Sequence, residues 1–563
     1  MLRSTAAALV MFATVGGWPL VAADESAPRN AIASQHSATG RREMVVAEND
    51  IAAQAGLEIL RHGGNAIDAA AAVSLVLGLT NAGSCGIGGG GFMLIYIART
   101  RQLYALDYRE RAPMAATATM YFRNGQPNEE LARHGALAIA VPGEIAGLDV
   151  ALRRFGTMKF SAIAAPAIRL ARNGALLSPH LAHEVSSTAA EIGRDPGFRK
   201  IYFDASGAPL KAGALIRNPD LANLIERLGD KPIRNFYGGP IAEQIAGFIN
   251  AHGGLMTARD LAEYKPIWRQ PIHLDYHGYD VWTMPPPSSG GVVLEMLGML
   301  GSEPLAGLGV DSPPELARLI EVMRQGFVDR DQYADPAFVN VPIAHLLSPS
   351  YLAEARERAL HHAPPAPIAA AHDHGTSNFA VVDREGNVVD VTTTINTVFG
   401  SELMVPALGL ILNNEMDDFA TAPGIPNAFH LVGAKGNEIA PGKRPLSSMS
   451  PVIVLRQGHP VLVDGGSGGP TIITGVLQAT LDALDFHLDP ATAVGNPRIH
   501  HQAQPATVFV EAAMPQPTTR ALAQMGYPLK TVPELGAVNQ ISIAPGKLRG
   551  AYDPRKGGGA AGD

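Results

Sequence analysis

The chain has 563 residues, 46% of them hydrophobic and 17% charged, which suits one large core or two smaller ones and excludes a disordered protein. Its formal net charge of −8 argues against a nucleic-acid partner, because phosphate binding needs a basic face. The single cysteine, Cys85, excludes an intrachain disulfide, so the core must hold by packing.

Residues 1–23 predict an export leader. Arg3 is their only charge, an apolar run extends from Thr5 to Val15, and Val21-Ala22-Ala23 precedes Asp24 as small residues precede a signal-peptidase cut. Gly16-Gly17-Trp18-Pro19 breaks the run short of the roughly 20 residues a bilayer span needs. The mature chain is expected to begin near Asp24, with no transmembrane helix and an exported, periplasmic or secreted location. Cys85 lies too far from the leader to carry a lipid at a processed N-terminus.

Asp50 predicts a capped helix reaching about His62 and ended by Gly63-Gly64. A second helix, 66–79, is apolar on nearly every face, as a buried helix is. "NAGSCGIGGGGFMLIYI" predicts a glycine loop entering a strand, and "LYALDYRE" the return strand, ending at Arg109 and Glu110. No Gly-Lys-Ser/Thr follows the glycines, so they predict close backbone packing and not a phosphate cradle. From about 150 to 350 helical patterns dominate and no site-like constellation stands out. "HHAPPAPIAAAHDH", 361–374, reads as a linker, and its His361, His362, His372 and His374 lack the i, i+4 spacing of a zinc site.

"TSNFAVVDREGNVVDVTTTIN", 376–396, predicts a β-hairpin. Arg384-Glu385-Gly386 fits a three-residue loop with Gly386 left-handed, pairing Asp383 with Asn387. Counting outward along both strands sets Thr376 opposite Thr394 on one face, with Asn396 on that face one step beyond. Thr392-Thr393-Thr394 also suits a strand on propensity alone. Further on, "KRPLSSMSP" presents Ser447 and Ser448 in a turn. "VLVDGGSGGPTIITGVLQATLDAL" reads as strand, glycine loop and helix, and the tail "RKGGGAAGD" as mobile.

A threonine hydroxyl is a weak nucleophile until a base takes its proton, and a free N-terminal amine is such a base, with a pKa near ~8. Were the Gly375-Thr376 peptide cut, Thr376 would carry nucleophile and base together. The small glycine before it would leave the preceding carbonyl open to attack, and the Thr394 hydroxyl could orient the pair.

These residues, with "HGGNAIDAAAAV", "GIGGGGF", "YRERAP", "LNNEMDDFATAPGIPN", "KRPLSSMSP", "GGSGGP" and "GAYDPRKGGGAAG", resemble the gamma-glutamyltransferase (gamma-glutamyltranspeptidase) family of N-terminal nucleophile hydrolases. The resemblance implies a proenzyme that cuts itself between Gly375 and Thr376 into a large subunit, 24–375, and a small subunit, 376–563. It implies a four-layer αββα sandwich of mixed α and β structure, formed by both pieces as a heterodimer. It assigns Thr376 as nucleophile, Thr394 as its hydrogen-bonding neighbour, and Gly468 with Gly469 as oxyanion-hole amides. Arg109, Ser447 and Ser448 would grip the glutamyl α-carboxylate, and Asp418, with Glu415 and Asn396, the α-ammonium. The implied activity is γ-glutamyl transfer from glutathione or related amides to water or to an amino-acid or peptide acceptor, without metal or organic cofactor. An acylase or amidohydrolase, for example one acting on glutaryl side chains of β-lactams, and a non-catalytic periplasmic binder of glutamyl compounds remain alternatives. Asn378 stands where the family has histidine, Ala380 and Asp390 also depart from its pattern, Phe429 replaces a common tyrosine in "PGIPNAFHLVGAKGNE", and Cys85 is an unusual member of the glycine loop.

Overall fold

Two seven-stranded antiparallel sheets face each other and carry helices on their outer faces, four layers in αββα order. The structure is a computed structural model that describes residues 36–301, 305–360 and 375–563. The leader and the linker 361–374 with its four histidines fall outside the described residues. Among the described residues no helix is long and apolar enough to cross a membrane.

The strands of the two sheets are, in chain order, β1 (Ser37–Gly40), β2 (Met44–Ala47), β3 (Gly90–Ile97), β4 (Gln102–Asp107), β5 (Ile267–Arg269), β6 (Ile272–Tyr276), β7 (Tyr279–Thr283), β8 (Ser377–Val382), β9 (Val388–Thr394), β10 (Val452–Arg456), β11 (His459–Ser467), β12 (Ala537–Ala544), β13 (Lys547–Ala551) and β14 (Gly559–Gly562). One sheet is ordered β1-β13-β12-β11-β10-β7-β6 and the other β14-β2-β8-β9-β3-β4-β5. Side chains alternate across the second sheet. Val45, Ala47, Phe379, Val381, Val389 and Val391 pack outward, while Met44, Val46, Ala380, Val382 and Val388 point into the core between the sheets.

Helices α1 (Asp50–Arg61) and α2 (Ala66–Thr80) cover the outward face. The cap of α1 is Asn49, not Asp50: Asn49 Oδ1 accepts the Ile51 N–H at 3.0 Å, and Asp50 opens the helix, where its charge suits the helix dipole. An Asn65–Asp68 capping box starts α2, which is buried on all sides as its composition predicts. On the other outer face lie α3 (Gly290–Leu300), α4 (Pro313–Asp329) and α5 (Thr471–Leu484).

Two expectations need correction. The return strand from the glycine loop stops at Asp107, leaving Arg109 and Glu110 beyond the sheet, both buried. Helices dominate 150–350 as expected, and the same stretch also supplies β5, β6 and β7, which reach both sheets. The tail is not mobile: β14 pairs with β2, and the Asp563 carboxylate accepts the N–H groups of Arg41, Arg42 and Glu43. Gly558 and Gly559 are there for space, because a Cβ on Gly558 would lie 2.5 Å from Ala47 O and one on Gly559 2.4 Å from Asp50 Cα.

Candidate active site

The hairpin forms as its turn dictates. Gly386 sits at φ +82°, Asp383 N–H donates to Asn387 O at 3.1 Å, and Ser377 pairs with Thr393, so the register extends to Thr376 opposite Thr394. Both hydroxyls lie on the face turned toward the other sheet, with Thr376 Oγ1 3.0 Å from Thr394 Oγ1. Thr394 Oγ1 also accepts the Asn396 N–H at 2.8 Å, which leaves its own proton free to meet Thr376.

The junction at Thr376 is strained. Its φ is +107°, in the half of conformational space a β-branched residue avoids, at a cost of about 1–3 kcal/mol. Three contacts hold it there: Thr376 N–H donates to Ser84 O at 3.1 Å, Lys556 Nζ donates to Thr376 O at 2.7 Å, and Gly375 presses on Asn396. A Cβ on Gly375 would come within 1.9 Å of Asn396 O, so only glycine fits before the threonine. The glycine loop serves the same end. A Cβ on Gly89 would lie 1.9 Å from Thr394 O, which confirms close backbone packing as its role. Cys85 in that loop is a small buried side chain whose thiol is pushed well up by burial.

Asn378 and Asp390, two departures from the family pattern, belong together. Asn378 Nδ2 donates to Asp390 Oδ1 at 2.9 Å, and Asp390 Oδ2 accepts the Val452 N–H of β10 at 3.1 Å, so the pair bridges the sheets. A Cβ on Gly465 of β11 would strike Asn378 Nδ2 at 2.2 Å, so glycine is required at that crossing. β11 runs on to Gly468 and Gly469, at φ +122° and +59°, immediately before α5. Among the described residues no backbone or side-chain acceptor takes either N–H. The Phe429 ring covers Gly469: a Cβ there would be 2.6 Å from Phe429 Cδ1.

The substrate-binding candidates form a second, adjoining cluster. Asn396 Nδ2 donates to Asn414 O at 3.1 Å, next to Glu415. Arg109, 1% exposed and no surface arginine, places Nη1 on Glu415 and Nη2 on Asp418, with Nε on Pro445 O at 3.3 Å. Thus the residues expected at the two ends of a zwitterion are bonded to one another here. Burial pushes Glu415 up to about 7, with Asp418 adding and Arg109 opposing; burial also raises Asp418, against the pull of Arg109. Ser447 Oγ accepts the Met449 N–H at 3.2 Å, whereas Ser448 Oγ accepts from Arg330 Nη2 at 3.4 Å. A cavity lies beside this cluster, lined among others by Arg330, Asp418, Asn427, Asn437 and Leu446.

Arg330 and Lys556 were not anticipated from sequence. Each reaches the site only through the fold, Arg330 from a helical region without a local pattern and Lys556 from the tail, inside the stretch "GAYDPRKGGGAAG" that carries the resemblance.

The family model described as Gamma-glutamyltranspeptidase matches residues 52–563. The chain is 38% identical over 531 residues to a protein named glutathione hydrolase proenzyme from Escherichia coli, covering 92% of this chain and 91% of that one. A solved cephalosporin acylase from Bacillus halodurans superposes with a TM-score of 0.84 at 29% identity, over 94% of this chain and 97% of that one. A solved gamma-glutamyltranspeptidase from Helicobacter pylori gives a TM-score of 0.53 at 33% identity, over 55% of this chain and 89% of that one.

Proposed function

Because the chain belongs to the gamma-glutamyltranspeptidase family, we propose that its γ-glutamyl transfer and glutathione hydrolysis are carried out by Thr376 after self-cleavage at Gly375-Thr376. The chain is an enzyme, and one observation supports this assignment above the rest: Thr376 Oγ1 lies 3.0 Å from Thr394 Oγ1 on a strained backbone.

In processing, Thr376 Oγ1 attacks the Gly375 carbonyl and its proton passes to the departing amide nitrogen, leaving an ester that water splits. The products are the Gly375 carboxylate and a Thr376 with free hydroxyl and free α-amine. Release of the +107° φ strain favours this step. In catalysis the amine takes the hydroxyl proton, Oγ1 attacks the γ-carbonyl, and the oxyanion is met by the Gly468 and Gly469 N–H groups. The leaving amine departs with the proton. Water or an acceptor amine then attacks the glutamyl ester and restores the hydroxyl.

Arg109, Ser447 and Ser448 meet the α-carboxylate, and Asp418, with Glu415 and Asn396, the α-ammonium. The acidic pair supports an amino-bearing acyl group over the glutaryl group of an acylase, which lacks the amine and gains nothing from Asp418. Residues 1–23 export the precursor, and residues 24–375 and 376–563 remain together as a heterodimer.

The test is direct. The purified protein should run as two fragments, the smaller beginning Thr-Ser-Asn, and should cleave a γ-glutamyl anilide with stimulation by glycylglycine. Thr376→Ala should give one uncut polypeptide without turnover. Cleavage of that variant at the same bond would assign the nucleophile elsewhere.

A further inference from the structure

Arg330, at the end of α4, is a buried cation that makes no ion pair among the described residues. It is 8% exposed, and its contacts are neutral: Nε donates to Ser289 Oγ at 3.0 Å and Nη2 to Ser448 Oγ at 3.4 Å. Among the described residues no carboxylate forms an ion pair with it. A guanidinium carries five N–H donors, so these two bonds leave three, on a side chain that lines the cavity shared with Asp418. Burying a charge is expensive unless something pairs it, and the imbalance is visible here. Burial draws Arg330 down to about 10, Arg109 adds to the depression, and Asp418 and Asp331 oppose it only in part. Arg109 differs, because its charge is already answered by Glu415 and Asp418.

We propose that Arg330, held by Ser289 and Ser448, is a second receiving cation for the α-carboxylate of the γ-glutamyl group and a determinant of specificity for α-carboxylated acyl donors. It supplies the uncompensated positive charge that Arg109, tied to two carboxylates, does not. Ser448, whose Oγ accepts from Arg330 Nη2, and Ser289, whose Oγ donates to Ser447 O at 2.6 Å, tie Arg330 to the turn that carries both serines. The inference rests on the reading of this cavity as the γ-glutamyl site.

Two competitive inhibitors of γ-glutamyl anilide hydrolysis separate the possibilities: L-glutamate, and 4-aminobutanoate, which is glutamate without its α-carboxylate. Arg330→Met should weaken inhibition by glutamate roughly 10- to 100-fold, the worth of a charge-assisted hydrogen bond, and leave 4-aminobutanoate within about twofold. Arg330→Lys keeps the charge and loses the fork, so it should fall between wild type and Arg330→Met for glutamate alone. The anilide KM should rise with kcat nearly unchanged. Equal weakening of both inhibitors in either variant would show a packing role, and unchanged glutamate inhibition would show that no carboxylate reaches Arg330. Should Arg330→Met fail to yield folded, processed protein, the lysine variant decides by the same comparison. A wild-type protein that neither cleaves the anilide nor is inhibited by glutamate would overturn the γ-glutamyl reading itself, an outcome distinct from any of these.

Discussion

Lys556 shows how much of the nucleophile's setting is supplied by a single distant side chain. Its Nζ donates to the carbonyl of Thr376 at 2.7 Å and lies 3.5 Å from Glu48 Oε2, on a residue buried to 6% exposure. Glu48 in turn accepts the Asn378 N–H at 3.2 Å, so lysine and glutamate together clamp both ends of the Thr376–Asn378 segment. The clamp touches the nucleophile's own backbone and lies apart from Arg109 and Asp418, which belong to the substrate pocket. Replacing it should therefore misplace Oγ1 without loosening substrate. Lys556→Met is expected to slow precursor cleavage and to lower kcat of the processed enzyme by about tenfold or more, since small misplacements of a reacting group are costly. KM should change by less than about threefold. Initial-rate kinetics and a timed denaturing gel measure both, and a variant with normal kcat and raised KM would place Lys556 among the substrate contacts instead.

At the level of elements, the hairpin was legible in the sequence because everything that sets its register is local. Gly386 fixes a three-residue turn, and counting from it aligns Thr376 with Thr394, as observed. The glycine loop and the all-buried α2 were legible for the same reason. The pairing of β14 with β2 was not, because a glycine-rich tail has no apolar alternation and its partner lies some 500 residues away in sequence. β6 and β7 do carry a strand signal, Ile272, Leu274 and Tyr276 alternating with His273 and Asp275 before the His277-Gly278 turn, but runs of five residues are weak beside the helical patterns around them. The flanking strands also bear on what the turn does once the protein is folded. β8 pairs with β2 as well as β9, and β9 pairs with β3 over seven residues, so the register is held from both sides. Gly386→Ala should consequently cost about 1–2 kcal/mol, the price of a Cβ in the left-handed region, with a Cβ contact to Ala98 of 3.6 Å that is ordinary. The kcat should stay within about twofold of wild type. Urea unfolding of the uncut Thr376→Ala chain with and without the change reads the first, and steady-state rates of the processed enzyme the second. A large kcat loss would mean that the turn alone positions the hydroxyl pair.

Across the whole molecule the four layers bury carboxyls as well as catalytic groups, and that has a consequence for stability. The sequence shows where such residues are but not which of them lack a cation, because pairing is decided only when distant helices meet. Glu315 in α4, Asp482 in α5 and Asp311 just before α4 act on one another electrostatically. Burial, with Asp482 and Asp311 adding to it, pushes Glu315 up to about 9, and among the described residues its Oε2 has no hydrogen-bond partner. Asp482 is raised well above the carboxylate range, first by burial and then by Asp311, and Glu295 in α3 is likewise raised by burial. In the unfolded chain these groups lose their protons near pH ~4, so at neutral pH the native state holds more protons than the unfolded state. Stability from such groups is fully present below the unfolded pKa and declines as pH rises toward the folded value, by up to about 1.4 kcal/mol per pH unit for each proton retained. His501, buried and drawn down to about 3, has the opposite sign, but its effect is complete once pH exceeds the ordinary histidine value. Between pH 7 and 9 the carboxyls therefore act with little opposition from the histidines. The urea midpoint of the Thr376→Ala chain should be higher at pH 7 than at pH 9, and Glu315→Gln, which removes one of these protons, should make the decline shallower. A midpoint that holds steady or climbs over this interval, or a glutamine variant with the same slope, would show that these carboxyls are ionised inside the folded protein and that solvent or cations reach them.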